Sequence, residues 1–211
     1  MSTYTVLAHA VENTTEKKNS DFLTFLHPVT SREEAMAHID HYRQHYADAN
    51  HVCWAYVIGN TRQPQTQAFS DAGEPSGTAG KPMLHVLTER DVGNSLAVVV
   101  RYFGGVKLGA GGLVRAYSGA VSEAVNSAKL TQVVPSTEIQ VVVSFAHEAK
   151  VRHLTQQYHG QILSVDYAAE VSLHIQLAAA QVDVFAQQVI NETAGSAMVR
   201  LATDEDPLSP G

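Results

Sequence analysis

The sequence of 211 residues holds one cysteine, Cys53, and one tryptophan, Trp54. A lone thiol excludes an internal disulfide and supplies no cysteine cluster for zinc. Long apolar runs are missing as well. Those present, such as Leu96 to Val100, are strand-sized and fall far short of the ~20 residues a membrane-spanning helix needs. The opening Met1-Ser-Thr-Tyr-Thr-Val6 has neither the basic region nor the apolar core of a secretory signal. These absences lead to the expectation of a cytoplasmic protein with no membrane partner. No internal repeat or low-complexity tract is present.

Basic residues are also few, 14 Lys and Arg against 21 Asp and Glu, for a net charge of −7. The imbalance is local. Up to Gln132 there are 11 basic and 12 acidic residues, whereas from Val133 onward there are 3 and 9, so the second part alone carries −6. An acidic C-terminal part is a poor electrostatic footprint for a phosphate chain. Any nucleic-acid contact is therefore expected to use local cations of the N-terminal part.

What is present suffices for a core: 45% of the residues are hydrophobic, and the length fits one or two domains. The patterns predict an α+β protein. Residues 4–11 and 21–27 read as short strands around a polar turn, 12–20, in which Lys17 and Lys18 are solvated. Ser31 followed by Glu34 forms a capping-box pattern that opens a helix. On it His38, His41 and His45 recur at i, i+3, i+7 without a His-Glu-x-x-His signature, the pattern of a solvated face. A strand is predicted over 51–58 and a polar loop over 59–67, which Pro64 keeps irregular. A helix over 78–89 and a strand over 95–101 follow. The next helix carries the stripe Leu113, Tyr117, Ala120, Val121, Ala124, Ala128.

Residues 130–135 read as the boundary between a domain of residues 1–132 and one of residues 133–203. The second shows strand, helix, two strands, helix and strand in turn, the βαββαβ order of the ferredoxin-like plan. Residues 204–211 form an acidic tail that is expected to be disordered.

One stretch organises the N-terminal part. Val98 to Tyr117 passes from a β-branched run to an amphipathic helix through five glycines, Gly104, Gly105, Gly109, Gly111 and Gly112. One reading is close packing of strand, loop and helix. The other is an anion site at a helix N-terminus, which Arg101, Lys107 and Arg115 would reinforce. It is neither a P-loop nor a G-x-G-x-x-G fingerprint, since no Gly-Lys-Ser/Thr follows and Val114 stands where the third glycine belongs. Tyr102, with Phe103, offers stacking to a base or packing to a core.

A companion stretch, Phe69 to Leu84, places Asp71 and Glu74 among Gly73, Gly77, Gly80 and Lys81. The two carboxylates suit acid–base work or a divalent cation. Alternatively they cap the next turn or pair with Arg101 or Lys107, the reading preferred here. His51 and Cys53 share one strand face at i and i+2. No third group orients them as a nucleophilic pair, and Cys53 reads as a small buried hydrophobe.

Three segments, Ser70-Asp-Ala-Gly-Glu-Pro75, Gly77-Thr-Ala-Gly-Lys-Pro82 and Val100-Arg-Tyr-Phe-Gly-Gly-Val-Lys-Leu-Gly109, resemble the Impact family in its bacterial two-domain form. That pattern usually has a second acid after Asp71, where this chain has Ala72, and His51 matches a family position. The resemblance implies an N-terminal domain with the fold of the second domain of ribosomal protein S5. It also implies a C-terminal module similar to ferredoxin-like domains of elongation factor G.

The resemblance further implies a non-enzymatic binding module in regulation of translation. Eukaryotic relatives compete for a protein that activates a stress kinase. Two alternatives stand beside it. One is nucleic-acid or ribosome binding through the glycine-rich loop. The other is an enzyme acting on a phosphorylated or acylated small molecule between the two motifs. No catalytic set, cofactor or metal site can be assembled from the sequence. The partner is expected to be a protein, or ribosome or RNA, and the oligomeric state is left open.

Overall fold

The computed structural model describes residues 3–202, so the predicted tail of residues 204–211 lies outside the described residues. The elements in chain order are β1 (Tyr4–Leu7), β2 (Val11–Lys17), β3 (Ser20–Pro28), α1 (Arg32–His45), β4 (His51–Asn60), β5 (Gln63–Ser70), α2 (Gly80–Glu89), β6 (Val92–Gly93), β7 (Ser95–Tyr102) and α3 (Ala110–Ser127). They continue with β8 (Leu130–Val133), β9 (Ser136–Val143), α4 (Glu148–Gln157), β10 (Gln161–Tyr167), β11 (Val171–Ala178), α5 (Val182–Glu192) and β12 (Met198–Leu201). The architecture is α+β, and the chain passes from one compact unit to a second between Val133 and Val134.

In the N-terminal unit an antiparallel sheet of order β2-β3-β7-β4-β5 has α1 on one face and α2 and α3 on the other. Strand alternation sorts the side chains. Phe22, Leu26, Cys53, Ala55, Ala97 and Val99 pack toward α2 and α3, while Phe25, Tyr56, Leu96, Val98 and Val100 pack toward α1. Both faces of β7 are covered, which is why Leu96 to Val100 reads as an unbroken apolar run. On α3 the buried positions include Ala116, Ala120 and Ala124, whose small side chains let the helix lie close to the sheet. A short second sheet joins β1 to β6 in parallel and to β8 in antiparallel fashion.

Four local expectations are corrected. Residues 12–17 belong to strand β2 and not to a turn, because an edge strand buries only one row of side chains and tolerates polar ones on the other. The turn shrinks to Lys18 and Asn19, both with positive φ (50° and 63°). Residues 63–67 belong to β5, the opposite edge strand, where Pro64 sits beside a bulge at Gly59. The stretch 130–133 is β8, held by pairing from Tyr4↔Val133 to Leu7↔Leu130, so it belongs to the N-terminal unit and is no linker. Helix α3 begins at Ala110, three residues before the expected Leu113, which places Gly111 and Gly112 in its first turn.

The C-terminal unit has the order β10-β11-β9-β12, all antiparallel, with α4 and α5 packed through Val151, Leu154, Phe185 and Val189 onto Ile139, Val141, Leu173 and Ile175. This is the ferredoxin-like order. Positive φ at His159 (54°), and at Ala194 (52°) and Gly195 (81°), turns the chain out of each helix.

Candidate functional site

Strand register sets the site. Arg101 lies opposite Phe22 on β3 and opposite His51 on β4, and all three point to the α2 and α3 side. The apolar run of β7 thus ends in a guanidinium that is only 5% exposed. Arg101 Nη1 donates to Glu74 Oε1 at 2.6 Å, and the Tyr117 hydroxyl donates to the same oxygen at 2.7 Å. The Arg101 guanidinium carbon sits 5.6 Å from the ring centroids of both Phe22 and Phe103. Two charge-assisted bonds and this aromatic bracket offset the cost of burying the Glu74 carboxylate.

His51 Nδ1 lies 2.9 Å from the Ala72 carbonyl oxygen. A carbonyl only accepts, so this nitrogen carries the proton. Nε2 then faces Glu74 Oε2 at 3.7 Å, too far for a hydrogen bond. The Cys53 thiol donates to the Asp71 carbonyl at 3.0 Å and lies 3.4 Å from the Tyr117 hydroxyl. Burial pushes this thiol up to about 12, so it is protonated at neutral pH and no nucleophile. Burial likewise pushes the Tyr117 phenol upward.

Asp71 has a different task from Glu74. Its Oδ1 accepts the N–H groups of Ala79 (3.0 Å) and Gly80 (2.8 Å), and its Oδ2 that of Gly77 (2.8 Å). Ala79, at the N-cap of α2, makes no side-chain cap, so Asp71 caps that helix from upstream in the chain. Three backbone N–H groups thus engage both of its oxygens, the pattern of a structural cap.

Beside this cluster lies a cleft of about 370 Å³ lined by His51, Glu74, Arg101, Phe103, Lys107 and the start of α3 at Gly109 and Ala110. Gly109, with φ 75°, is the N-cap of α3, and no side chain caps the helix. Leu113 N–H is the first to bond back, to the Gly109 carbonyl. The amides of Ala110, Gly111 and Gly112 are therefore without intrahelical partners, and no acid occupies the first turn. The helix dipole adds partial positive charge there.

Other predicted residues stand elsewhere. Gly104 is a packing glycine, since a Cβ would collide with the Asn19 carbonyl, and a Cβ at Gly80 would lie 2.7 Å from the Ser70 carbonyl oxygen. Tyr102 sends its hydroxyl to Asp48 Oδ1 at 2.9 Å, away from the cleft. Arg115 lines a separate groove that also borders Gly112 of the α3 first turn, and Gly77 and Lys81 a third concavity with Pro82 and His85. Gly73 (φ 88°) sits against the His51 ring, and Gly105 (φ 85°) faces open space.

Sequence reading missed Tyr117, taken there as part of an apolar stripe. A phenol among alanines was its signal, because a buried hydroxyl needs a partner. It also missed Asn50, whose Oδ1 accepts the Phe103 N–H at 2.8 Å, and Ser20, whose hydroxyl accepts the Gly104 N–H at 3.2 Å.

The segments that build this site fall within residues 18–125, which match the model of the Impact N-terminal domain. The chain belongs to the Impact family. Residues 141–196 match a domain of unknown function, DUF1949, that coincides with most of the ferredoxin-like unit. The chain is 38% identical to the IMPACT family member YigZ of Escherichia coli, across 97% of this chain and 100% of that one. It is 31% identical to the IMPACT family member YvyE of Bacillus subtilis, across 95% and 91%. The Protein IMPACT homolog of Saccharomyces cerevisiae is 39% identical over 95 residues, 44% of this chain and 36% of that one. A crystal structure of a hypothetical protein superposes with a TM-score of 0.70 at 37% identity, covering 97% of this chain and all of that one.

Proposed function

We propose that the chain is a non-catalytic binding module in the regulation of translation, and that its cleft at the start of α3 takes a phosphate-bearing ligand. The supporting observation is the open first turn of α3 beside Lys107, in a cleft whose reactive groups are engaged elsewhere. Asp71 caps α2, Glu74 is paired with Arg101, and Cys53 is a buried thiol. This favours binding over the enzymatic reading. The translational setting rests on the family resemblance, with a protein or the ribosome and its RNA as the partner.

The dipole and an exposed cation each contribute only about 0.3–1 kcal/mol. Several amides must share one phosphate, and a single phosphate should bind with a dissociation constant on the order of 1 mM. Titration of uridine monophosphate into the protein, followed by phosphorus NMR, tests binding and turnover in one sample. Lys107→Ala and Gly111→Val should both weaken binding, the second by covering the amides, and no product should form. Equal binding by wild type and both variants rejects the cleft. Turnover of a phosphate ester that Glu74→Gln abolishes in a folded protein establishes the enzymatic alternative instead.

A further inference from the structure

A second groove, of about 430 Å³, shares Leu108 with the cleft. Lys17 and Lys18 from the β2–β3 turn and Arg115 from α3 stand around it, with Glu123 as its one carboxylate. Along this stretch α3 presents Gly112, Ala116 and Gly119, which leave room for an occupant. Among the described residues none of the three cations has a carboxylate at ion-pair distance. The hairpin's own acids do not serve. Glu16 and Asp21 are paired across it, but alternation sends both to the face opposite Lys17. In a chain of net charge −7, three unpaired cations are concentrated at one groove.

The backbone that carries the lysines is fixed in place. The Asn19 carbonyl lies against Gly104 where no Cβ fits, and Gly104 N–H donates to Ser20 Oγ. In the adjoining cleft, Phe103 is 45% exposed while one side of its ring meets the Arg101 guanidinium. An open aromatic face beside a positive groove is the combination that holds unpaired bases and their phosphates.

We propose that the groove and the cleft are neighbouring phosphate sites for one single-stranded nucleic acid, with Phe103 stacking a base. The proposal rests on the reading of the cleft as a phosphate site and names its ligand class. A small phosphate compound needs one such site. Two cationic sites that meet at Leu108, one of them carrying an exposed ring, suit a strand.

The test is fluorescence anisotropy of a labelled oligouridylate of about twelve nucleotides, titrated with the full chain over a range of KCl concentrations. Lys17→Ala/Lys18→Ala should lower affinity at low salt about tenfold and reduce the slope of log K against log salt by about 0.7 per cation removed. Arg43→Ala, on α1 across the sheet, removes the same kind of charge and should leave affinity within about twofold of wild type. Phe103→Ala should weaken binding without changing the slope, and Phe103→Tyr should restore it.

Unchanged affinity and slope in the double lysine variant overturn the proposal, as does an equal loss per charge in Arg43→Ala. Uridine monophosphate separates the two readings. If it binds through Lys107 while the lysine pair is silent toward RNA, the cleft stands and the groove falls. If it fails to bind while RNA binding depends on the lysine pair, the cleft as a phosphate site falls and the groove stands on its own.

Discussion

Glu74 and Arg101, 27 residues apart in the chain, meet at 2.6 Å with side chains 3% and 6% exposed. The pair ties the Asp71–Lys81 segment to the end of β7, and Tyr117 locks α3 to the same oxygen. Arg101→Met should destabilise the protein by about 3 kcal/mol, because it leaves a buried carboxylate unpaired. Glu74→Leu should cost a similar amount, because it leaves a buried guanidinium unpaired. The double variant Glu74→Leu/Arg101→Met should cost clearly less than the two single changes added together. Urea unfolding of the four proteins measures this, and strict additivity would show that the pair carries no coupling.

Gly104 and Gly105 are neighbours with opposite demands. A Cβ at Gly104 meets the Asn19 carbonyl, whereas Gly105 has open space and a φ of 85°. Gly104→Ala should displace the hairpin tip and cost about 1–3 kcal/mol through overpacking. Gly105→Ala should cost roughly 1–2 kcal/mol through backbone strain alone and leave the hairpin in place. Amide shifts of Lys18 and Asn19 distinguish them, moving in the first variant and not in the second.

The Cys53 thiol is fully enclosed and pushed up by burial to about 12. A thiol-reactive disulfide reagent should therefore modify the native protein only as fast as it opens, and the guanidinium-unfolded protein at once. Rapid modification of the folded protein would contradict the placement of Cys53 on the α2 and α3 side of β4.

His27 is half-buried, hydrogen-bonded to the Tyr42 hydroxyl at 2.7 Å and stacked on His38. Burial, then the nearby His38 and His41, lower it from 6.5 to about 4, with Glu34 opposing. The fold thus favours the neutral ring. That stability is fully present above pH 6.5 and is lost as the pH falls toward 4. With much of the ring in contact with solvent, about 1 kcal/mol is involved. The Tm of wild type should fall more between neutral pH and pH 4 than that of His27→Gln, which cannot titrate there. Parallel curves would remove this contribution.

Much of the fold was legible in the sequence. The βαββαβ order of the C-terminal unit followed from strands with one buried row, and the Ser31 cap formed, with its hydroxyl accepting the Glu34 N–H at 3.1 Å. The edge strands β2 and β5 were not legible, because one row of small polar side chains looks the same in a loop. In the site, the motif residues Glu74 and Arg101 stood out by charge and spacing. Their mutual burial, the Tyr117 hydroxyl between strand and helix, and the approach of Lys17 and Lys18 to α3 are tertiary facts. No local pattern encodes them. The start of α3 was placed late because two glycines argue against helix, although the first turn tolerates them.

The first turn of α3 presents three backbone amides, and amide NMR observes them individually. Titrating inorganic phosphate or uridine monophosphate into isotopically labelled protein should shift the signals of Ala110, Gly111 and Gly112 saturably, with Lys107 following. Amides of α4 and α5 should stay where they are. If the first turn of α3 does not respond while the ligand binds elsewhere, or if nothing responds at all, the glycine-rich loop is a packing device and the account of the cleft is wrong.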